Sequence, residues 1–102
     1  MDNKELEKEY ADLIRFLQYS LKELPKCVLY GLDCADHKEC EDLLKDADRL
    51  EKISEKLGID NIKFIEVCRW HYNSYPVFLD NQSEYKSYEA YIIKHDAPTI
   101  VE

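Results

Sequence analysis

The sequence predicts an α+β fold in which two helices pack on a small antiparallel sheet of about four strands. Two observations favour this class. Apolar residues recur every three or four positions as far as Leu57, and β-branched and aromatic residues in alternating order are concentrated after Gly58. The length of 102 residues is typical of one domain. Residues 1–102 are therefore expected to share a single core.

The first predicted helix runs from Asn3 to Leu24. Its apolar stripe has helical spacing and consists of Leu6, Tyr10, Leu13, Ile14, Leu17, Leu21 and Leu24. Asp2 or Asn3 can cap the start, and Pro25 is expected to end the helix because proline lacks a backbone N–H. The apolar run from Cys27 to Leu32 that follows is typical of a short buried strand or an extended connection, and we favour the strand.

A second helix is predicted to begin near Asp36, because Glu39 stands three residues later at the spacing of a capping box. Gly58 is expected to close it, since glycine readily adopts the left-handed conformation found after helix ends. The stripe of this helix is Cys40, Leu43, Leu44, Ala47, Leu50, Ile53 and Leu57.

The second half of the chain is predicted to form an antiparallel meander. Its four candidate strands are Ile62 to Trp70, Tyr75 to Leu79, Tyr85 to Lys94 and Thr99 to Val101. The polar residues 80–83 predict a turn between the second and third strands.

The charge balance restricts the classes of partner. The chain has 22 acidic and 14 basic residues, a formal net charge of −8. Such a field repels nucleic acid and anionic membrane surfaces and attracts basic partners. No stretch approaches the length of about 20 apolar residues that a transmembrane helix needs. The sequence therefore predicts a cytoplasmic protein with a protein partner, and neither nucleic acid nor membrane as a ligand.

A zinc site is the main alternative suggested by the Cys and His spacing. The five candidate ligands are Cys34, His37, Cys40, Cys68 and His71. Cys40 belongs to the helical stripe, and the spacing matches no established zinc-finger pattern, so we favour thiols in the core or on the surface and expect neither a metal nor a cofactor. A zinc-stabilised structural or regulatory module remains the alternative hypothesis.

Disulfides are a further alternative, because four cysteines allow two bridges. Cys27 with Cys68 is the pairing that the predicted strands favour, although cytoplasmic thiols are ordinarily reduced. The pair Cys68 and His71 could also act as nucleophile and base, but no phosphate loop, serine elbow or triad order accompanies it. The sequence therefore predicts a protein that is not an enzyme.

The predicted sheet is apolar on both faces. In the simpler interpretation, each face of the sheet is covered by one of the two predicted helices. The other interpretation leaves an aromatic surface with acidic neighbours exposed for a partner or for a second copy of the chain, since Tyr and Trp dominate the binding energy at interfaces. The residues that would form this interface are Glu66, Trp70, Tyr72, Tyr85, Glu89 and Tyr91.

Two helical stretches carry a family resemblance: Glu41-Asp42-Leu43-Leu44-Lys45-Asp46-Ala47-Asp48-Arg49-Leu50-Glu51-Lys52 and Asn3-Lys4-Glu5-Leu6-Glu7-Lys8. Together with the aromatic segments after Ile62, they resemble a small family of proteins shared by rod-shaped and filamentous viruses of hyperthermophilic archaea. One branch of that family contains inhibitors of type I-D CRISPR interference. The resemblance implies an α+β fold, a homodimer, action in the host cytoplasm, and no catalytic residues.

The resulting functional hypothesis is a viral accessory protein that binds a host protein and inhibits or recruits it, as an anti-CRISPR protein does. An acidic inhibitor of a basic nuclease toxin is an alternative that shares the charge argument.

Overall fold

The computed structural model describes residues 3–30, 37–81, 83–85 and 87–98. Within these ranges the chain forms four α-helices and no β-strand. The helices are α1 (Asn3–Tyr30), α2 (His37–Leu57), α3 (Ile62–Asp80) and α4 (Tyr88–Lys94). The predicted α+β class with a four-stranded sheet is therefore wrong, and so is the α+β fold that the family resemblance implies.

The apolar stripe predicted for α1 is confirmed, because Leu6, Leu17 and Leu21 are buried. The predicted end of this helix is wrong, since α1 continues through Pro25 to Tyr30. A proline removes one helical hydrogen bond and crowds the carbonyl four residues earlier, a local penalty that a long helix can carry. The short strand predicted from Cys27 is thus helical as far as residue 30, and its last two residues lie outside the described ranges.

The second helix follows its predicted pattern. α2 is helical from His37, and the predicted cap Asp36 lies outside the described ranges. Its buried stripe consists of Cys40, Leu43, Ala47, Leu50 and Ile53. Gly58 follows the last helical residue with a φ of +71°, the left-handed conformation that its position predicts.

The third helix replaces two predicted strands, Ile62 to Trp70 and Tyr75 to Leu79. Ile65, Cys68, Tyr72 and Tyr75 are buried at intervals of three and four residues, which is the helical repeat. Val67, His71 and Phe78 are buried as well and widen the apolar face of α3. A helix that buries so wide a face places apolar residues at adjacent and alternate positions, and this pattern suggested a strand with two apolar faces.

The fourth helix replaces the predicted strand from Tyr85 to Lys94. Ser87 caps its start, since its hydroxyl oxygen accepts a hydrogen bond of 3.2 Å from the Ala90 amide. The predicted turn after α3 is confirmed in its described part, where the Asn81 amide donates to the Phe78 carbonyl at 2.9 Å. The last predicted strand, 99–101, lies outside the described ranges.

The four helices pack in a closed circuit. α2 packs against α1 and α3, and α4 packs against α3 and α1, so that α2 and α4 lie on opposite sides of the α1 and α3 pair. Residues from all four helices contribute to one core cluster, which includes Leu17, Leu50, Tyr75 and Tyr88. No helix in the described part of the chain is both long and apolar enough to cross a bilayer.

A candidate protein-binding groove

The residues predicted to form an interface do not share one exposed surface. Tyr72 is fully buried, and Tyr91 is 7% exposed. Trp70 and Tyr85 are partly buried and pack against the core cluster. Glu66 and Glu89 are exposed, as charged residues on the outer faces of helices usually are. Tyr72 and Tyr91 therefore serve packing within the chain and do not present their rings on an exposed face.

Tyr91 belongs to an aromatic cluster between α3 and α4. The rings of Tyr75 and Tyr88 meet edge to face with centroids 4.8 Å apart, and Tyr85 meets Tyr91 in the same way at 5.0 Å. Phe78 lies among them, 5.4 Å from the Tyr88 centroid. Edge-to-face contacts at these distances are favourable beyond the burial of apolar area. The cluster explains why a helix of only seven residues stays attached to the bundle.

The Cys and His side chains of the described residues have structural partners or are buried. Cys68 makes no disulfide, so the predicted bridge to Cys27 is absent. Burial raises the pKa of the Cys68 thiol to about 12, which is the reverse of what a nucleophile needs. Both ring nitrogens of His71 are engaged, Nδ1 with the Tyr88 hydroxyl at 2.9 Å and Nε2 with the Pro98 carbonyl at 3.3 Å.

The zinc hypothesis gains no support from these positions. His37 is exposed and its Nε2 lies 3.1 Å from an Asp80 carboxylate oxygen, whereas Cys40 is buried. Cys34 lies outside the described ranges. In the described part of the chain, no three His, Cys, Asp or Glu side chains are arranged to hold a metal ion.

A groove between α1 and α2 combines features that suggest a binding site. It is a depression of about 380 Å³ that opens to solvent. We call it the α1–α2 groove and define it by its lining residues, which are Phe16, Tyr19, Ser20, Glu39, Asp42, Leu43 and Asp46. It has an aromatic wall from α1 and an acidic wall from α2.

The aromatic wall consists of Phe16 and Tyr19, which are 50% and 64% exposed. Residues three apart on a helix lie on the same side, so the two rings are neighbours. Among the described residues they are the two aromatic side chains in the group of exposed large hydrophobic residues. A single exposed apolar residue is ordinary on a protein surface, but two neighbouring rings at the edge of a depression resemble a contact surface.

The acidic wall consists of Glu39, Asp42 and Asp46, spaced three and four residues apart on one side of α2. No Lys or Arg is among the described residues that line the groove. Burial, and then the charge of Asp42, raise the pKa of Asp46 above its ordinary value. The ionised form of Asp46 is thus disfavoured in this groove. A cation placed between the two walls would stabilise the ionised carboxylate.

The floor of the groove is fixed to the core from below. Leu43 at the base is 7% exposed. The hydroxyl of Tyr72, from α3, donates a hydrogen bond of 3.3 Å to the Leu17 carbonyl. Nearer the start of α1, Arg49 of α2 bonds Glu9 through Nε–Oε2 at 2.7 Å and Nη2–Oε1 at 3.0 Å. These contacts hold α1 and α2 at a set separation.

Sequence reasoning missed this groove, although one signal was present. Phe16 and Tyr19 do not belong to the apolar stripe predicted for α1, and they share their side of the helix with charged residues. An aromatic pair outside the stripe of an amphipathic helix indicates a surface contact. This signal is weak within the sequence, because the larger number of aromatic residues lies after Ile62.

A second depression, of about 320 Å³, lies at the turn between α2 and α3. Its apolar part is aliphatic, from Ile59, Ile62 and Ile65, and of its three acidic residues Glu51 is paired with Arg69 at 3.0 Å. It therefore lacks the aromatic wall of the α1–α2 groove. Comparison of the chain with protein-family models, with curated proteins and with solved structures found no match in any of the three.

Proposed function

We propose that this protein acts by binding another protein, and that it holds a basic segment of that partner in the α1–α2 groove. The observation that carries the proposal is the pairing of two exposed rings, Phe16 and Tyr19, with the carboxylates of Asp42 and Asp46 across the groove. Neither carboxylate has an ion pair within the described chain. A basic side chain would supply a counter-charge for the two carboxylates and a cation to lie against the two exposed rings.

The two walls have different energetic roles. Acidic residues and the net charge of −8 speed the encounter with a basic partner, an effect that salt screens. Exposed aromatic side chains contribute more to holding the complex together, because burying a ring removes much apolar area from water. We therefore expect charge changes in the groove to act first on the association rate and ring changes to act on the dissociation rate.

The partner and its setting come from the family resemblance rather than from the groove. In this proposal the protein is a viral accessory protein that acts on a host protein in the host cytoplasm. An acidic inhibitor of a basic nuclease toxin would use the same groove and differs only in the identity of its partner. A zinc-stabilised module is not favoured, because the described Cys and His residues are engaged elsewhere.

The test compares two charge reversals at neighbouring positions. Asp42→Lys places a cation in the groove. Glu41→Lys changes the net charge equally but lies in the depression between α2 and α3 with His37 and Asn73. Each variant is used to capture partners from an extract of host cells, and the dissociation constant is then measured with the purified captured protein. We expect Asp42→Lys to lose the partner and Glu41→Lys to keep it. Equal binding by the two variants would rule out the groove.

A further inference from the structure

We infer, on the basis of the proposed function, that the α1–α2 groove selects arginine over lysine in the bound segment. The arginine guanidinium would lie against the Phe16 and Tyr19 rings and donate hydrogen bonds to the Asp42 and Asp46 carboxylates. The occupant is thus an arginine side chain presented by a partner protein. The inference rests on the spacing of the carboxylates, on the exposed rings, and on an equivalent site elsewhere on α2.

The spacing of the carboxylates matches the shape of a guanidinium group. Asp42 and Asp46 are four residues apart on α2, about 6 Å along the helix axis. A guanidinium is planar and presents five N–H donors in a rigid fork, so it can bond two separated carboxylates at once. A lysine ammonium carries its three donors on one atom. It would satisfy one carboxylate well and leave the other as a distant charge.

The same helix already holds an arginine in this way. Arg69 of α3 bonds Asp48 through Nη2 at 2.8 Å. It also bonds Glu51 through Nη1 at 3.2 Å and Nη2 at 3.0 Å. Two carboxylates one turn apart on α2 therefore hold one guanidinium where the chain supplies it. Asp42 and Asp46, four residues apart where Asp48 and Glu51 are three apart, form a similar pair on the α1 side, where the described chain supplies no arginine.

The exposed rings add a second preference for arginine. A guanidinium is less strongly hydrated than an ammonium and stacks flat on aromatic faces, so it loses less on leaving water. With Tyr19 64% exposed, one of its faces is accessible to such a group. Stacking on one side and hydrogen bonding at the edge are compatible for a planar cation, and a tetrahedral ammonium cannot do both equally well.

The experiment uses two peptides that differ only at one central position, Arg in one and Lys in the other, with uncharged residues on both sides. Each is titrated into the full-length protein at low salt, and the Tyr19 ring resonances are followed by NMR. We expect the Arg peptide to bind roughly tenfold more tightly. Tyr19→Leu, followed instead through the Phe16 ring resonances, should weaken Arg binding more than Lys binding, because it keeps apolar bulk but removes the ring face.

Two charge variants locate the effect. Asp42→Asn and Asp46→Asn should each remove most of the preference for arginine, whereas Glu41→Gln, with the same change of charge, should leave it intact. A helical spectrum like that of the unchanged protein confirms that each variant folds.

The remaining outcomes separate this inference from the proposed function. Equal affinity for the two peptides would overturn the arginine preference and leave the binding function standing. If neither peptide shifts the Tyr19 resonances at millimolar concentration, both are overturned. If free arginine binds as tightly as the Arg peptide, the groove is a small-molecule site, and the assignment of a protein segment is wrong.

Discussion

Asp46 is a residue that the fold holds in an unfavourable state. Burial and the neighbouring Asp42 charge both act against its ionised form, and in the described chain no cation compensates for them. Residues that serve binding often reduce stability in the unbound protein. Asp46→Asn should therefore raise the urea midpoint of the protein at neutral pH while it weakens capture of the partner. Urea denaturation followed by circular dichroism measures the first effect.

The pH dependence gives this prediction its control. Because the pKa of Asp46 is higher in the folded chain than its ordinary value of 3.8, its ionisation lowers stability as the pH rises through and above that value. The stabilisation by Asp46→Asn should thus be present at neutral pH and disappear below about pH 4. A variant less stable than the unchanged protein at neutral pH would show that Asp46 instead supports the fold.

His71 is predicted to make the protein sensitive to acid. A carbonyl only accepts hydrogen bonds, so Nε2 of His71 donates to Pro98 and the bare Nδ1 accepts from the Tyr88 hydroxyl. Burial lowers the pKa of His71 from its ordinary value of 6.5. The unfolded chain therefore binds the proton more readily. Stability should be complete above about pH 6.5 and fall as the pH drops towards the folded-state pKa.

The measurement is the urea midpoint between neutral pH and about pH 5. The His71→Gln variant should be less stable at neutral pH but lose less on acidification. His37→Gln is the control, since His37 is exposed and should leave the steeper dependence unchanged. Parallel pH profiles for His71→Gln and the unchanged protein would contradict the assignment.

At the scale of the helices, α4 depends on its cap. A helix of seven residues gains little from propensity alone, and the Ser87 hydroxyl satisfies the Ala90 amide at its start. Ser87→Ala should lower the free energy of unfolding by about 1 kcal/mol. Hydrogen exchange at the Ala90 amide should become faster. Ser83→Ala in the exposed turn is the matched control and should change neither quantity.

The helices also show where sequence reasoning succeeded. α1 and α2 each bury a narrow stripe against neighbours, so the spacing of Leu17, Leu21 and Leu50 was enough to identify both. α3 packs between α2 and α4, and its burial extends to Val67 and His71, which both lie on one side of the stripe. Helical spacing was present there, from Ile65 onwards, but the extra buried positions concealed it.

At the scale of the whole molecule, the core should be most sensitive where the aromatic rings converge. Phe78 is fully buried and lies within 6.4 Å, between ring centroids, of Tyr75, Tyr85 and Tyr88. Phe78→Ala should lower the free energy of unfolding by about 3–5 kcal/mol, because it removes apolar contacts and leaves a cavity. The adjacent Val77→Ala is the control, since Val77 is 50% exposed, and should change it by less than about 0.5 kcal/mol.

The candidate site was harder to predict than the first two helices, because the exposure of aromatic residues depends on how all the helices pack together. The aromatic residues after Ile62 looked exposed because a sheet with two apolar faces would need more cover than two helices provide. In a four-helix circuit, α4 supplies its own rings and α1 closes the far side, so Tyr72 and Tyr91 are covered. Which aromatic residues reach solvent is a property of the assembled bundle. Only Phe16 and Tyr19, outside the α1 stripe, carried a local signal.

The Tyr72 hydroxyl, which ties the Leu17 carbonyl to α3, has a consequence for the kinetics of recognition. A recess whose backbone is already held in place on two sides needs little rearrangement to bind a partner segment. It therefore loses little conformational entropy on binding. Stopped-flow mixing should then give a single relaxation whose rate rises linearly with partner concentration and reaches no plateau.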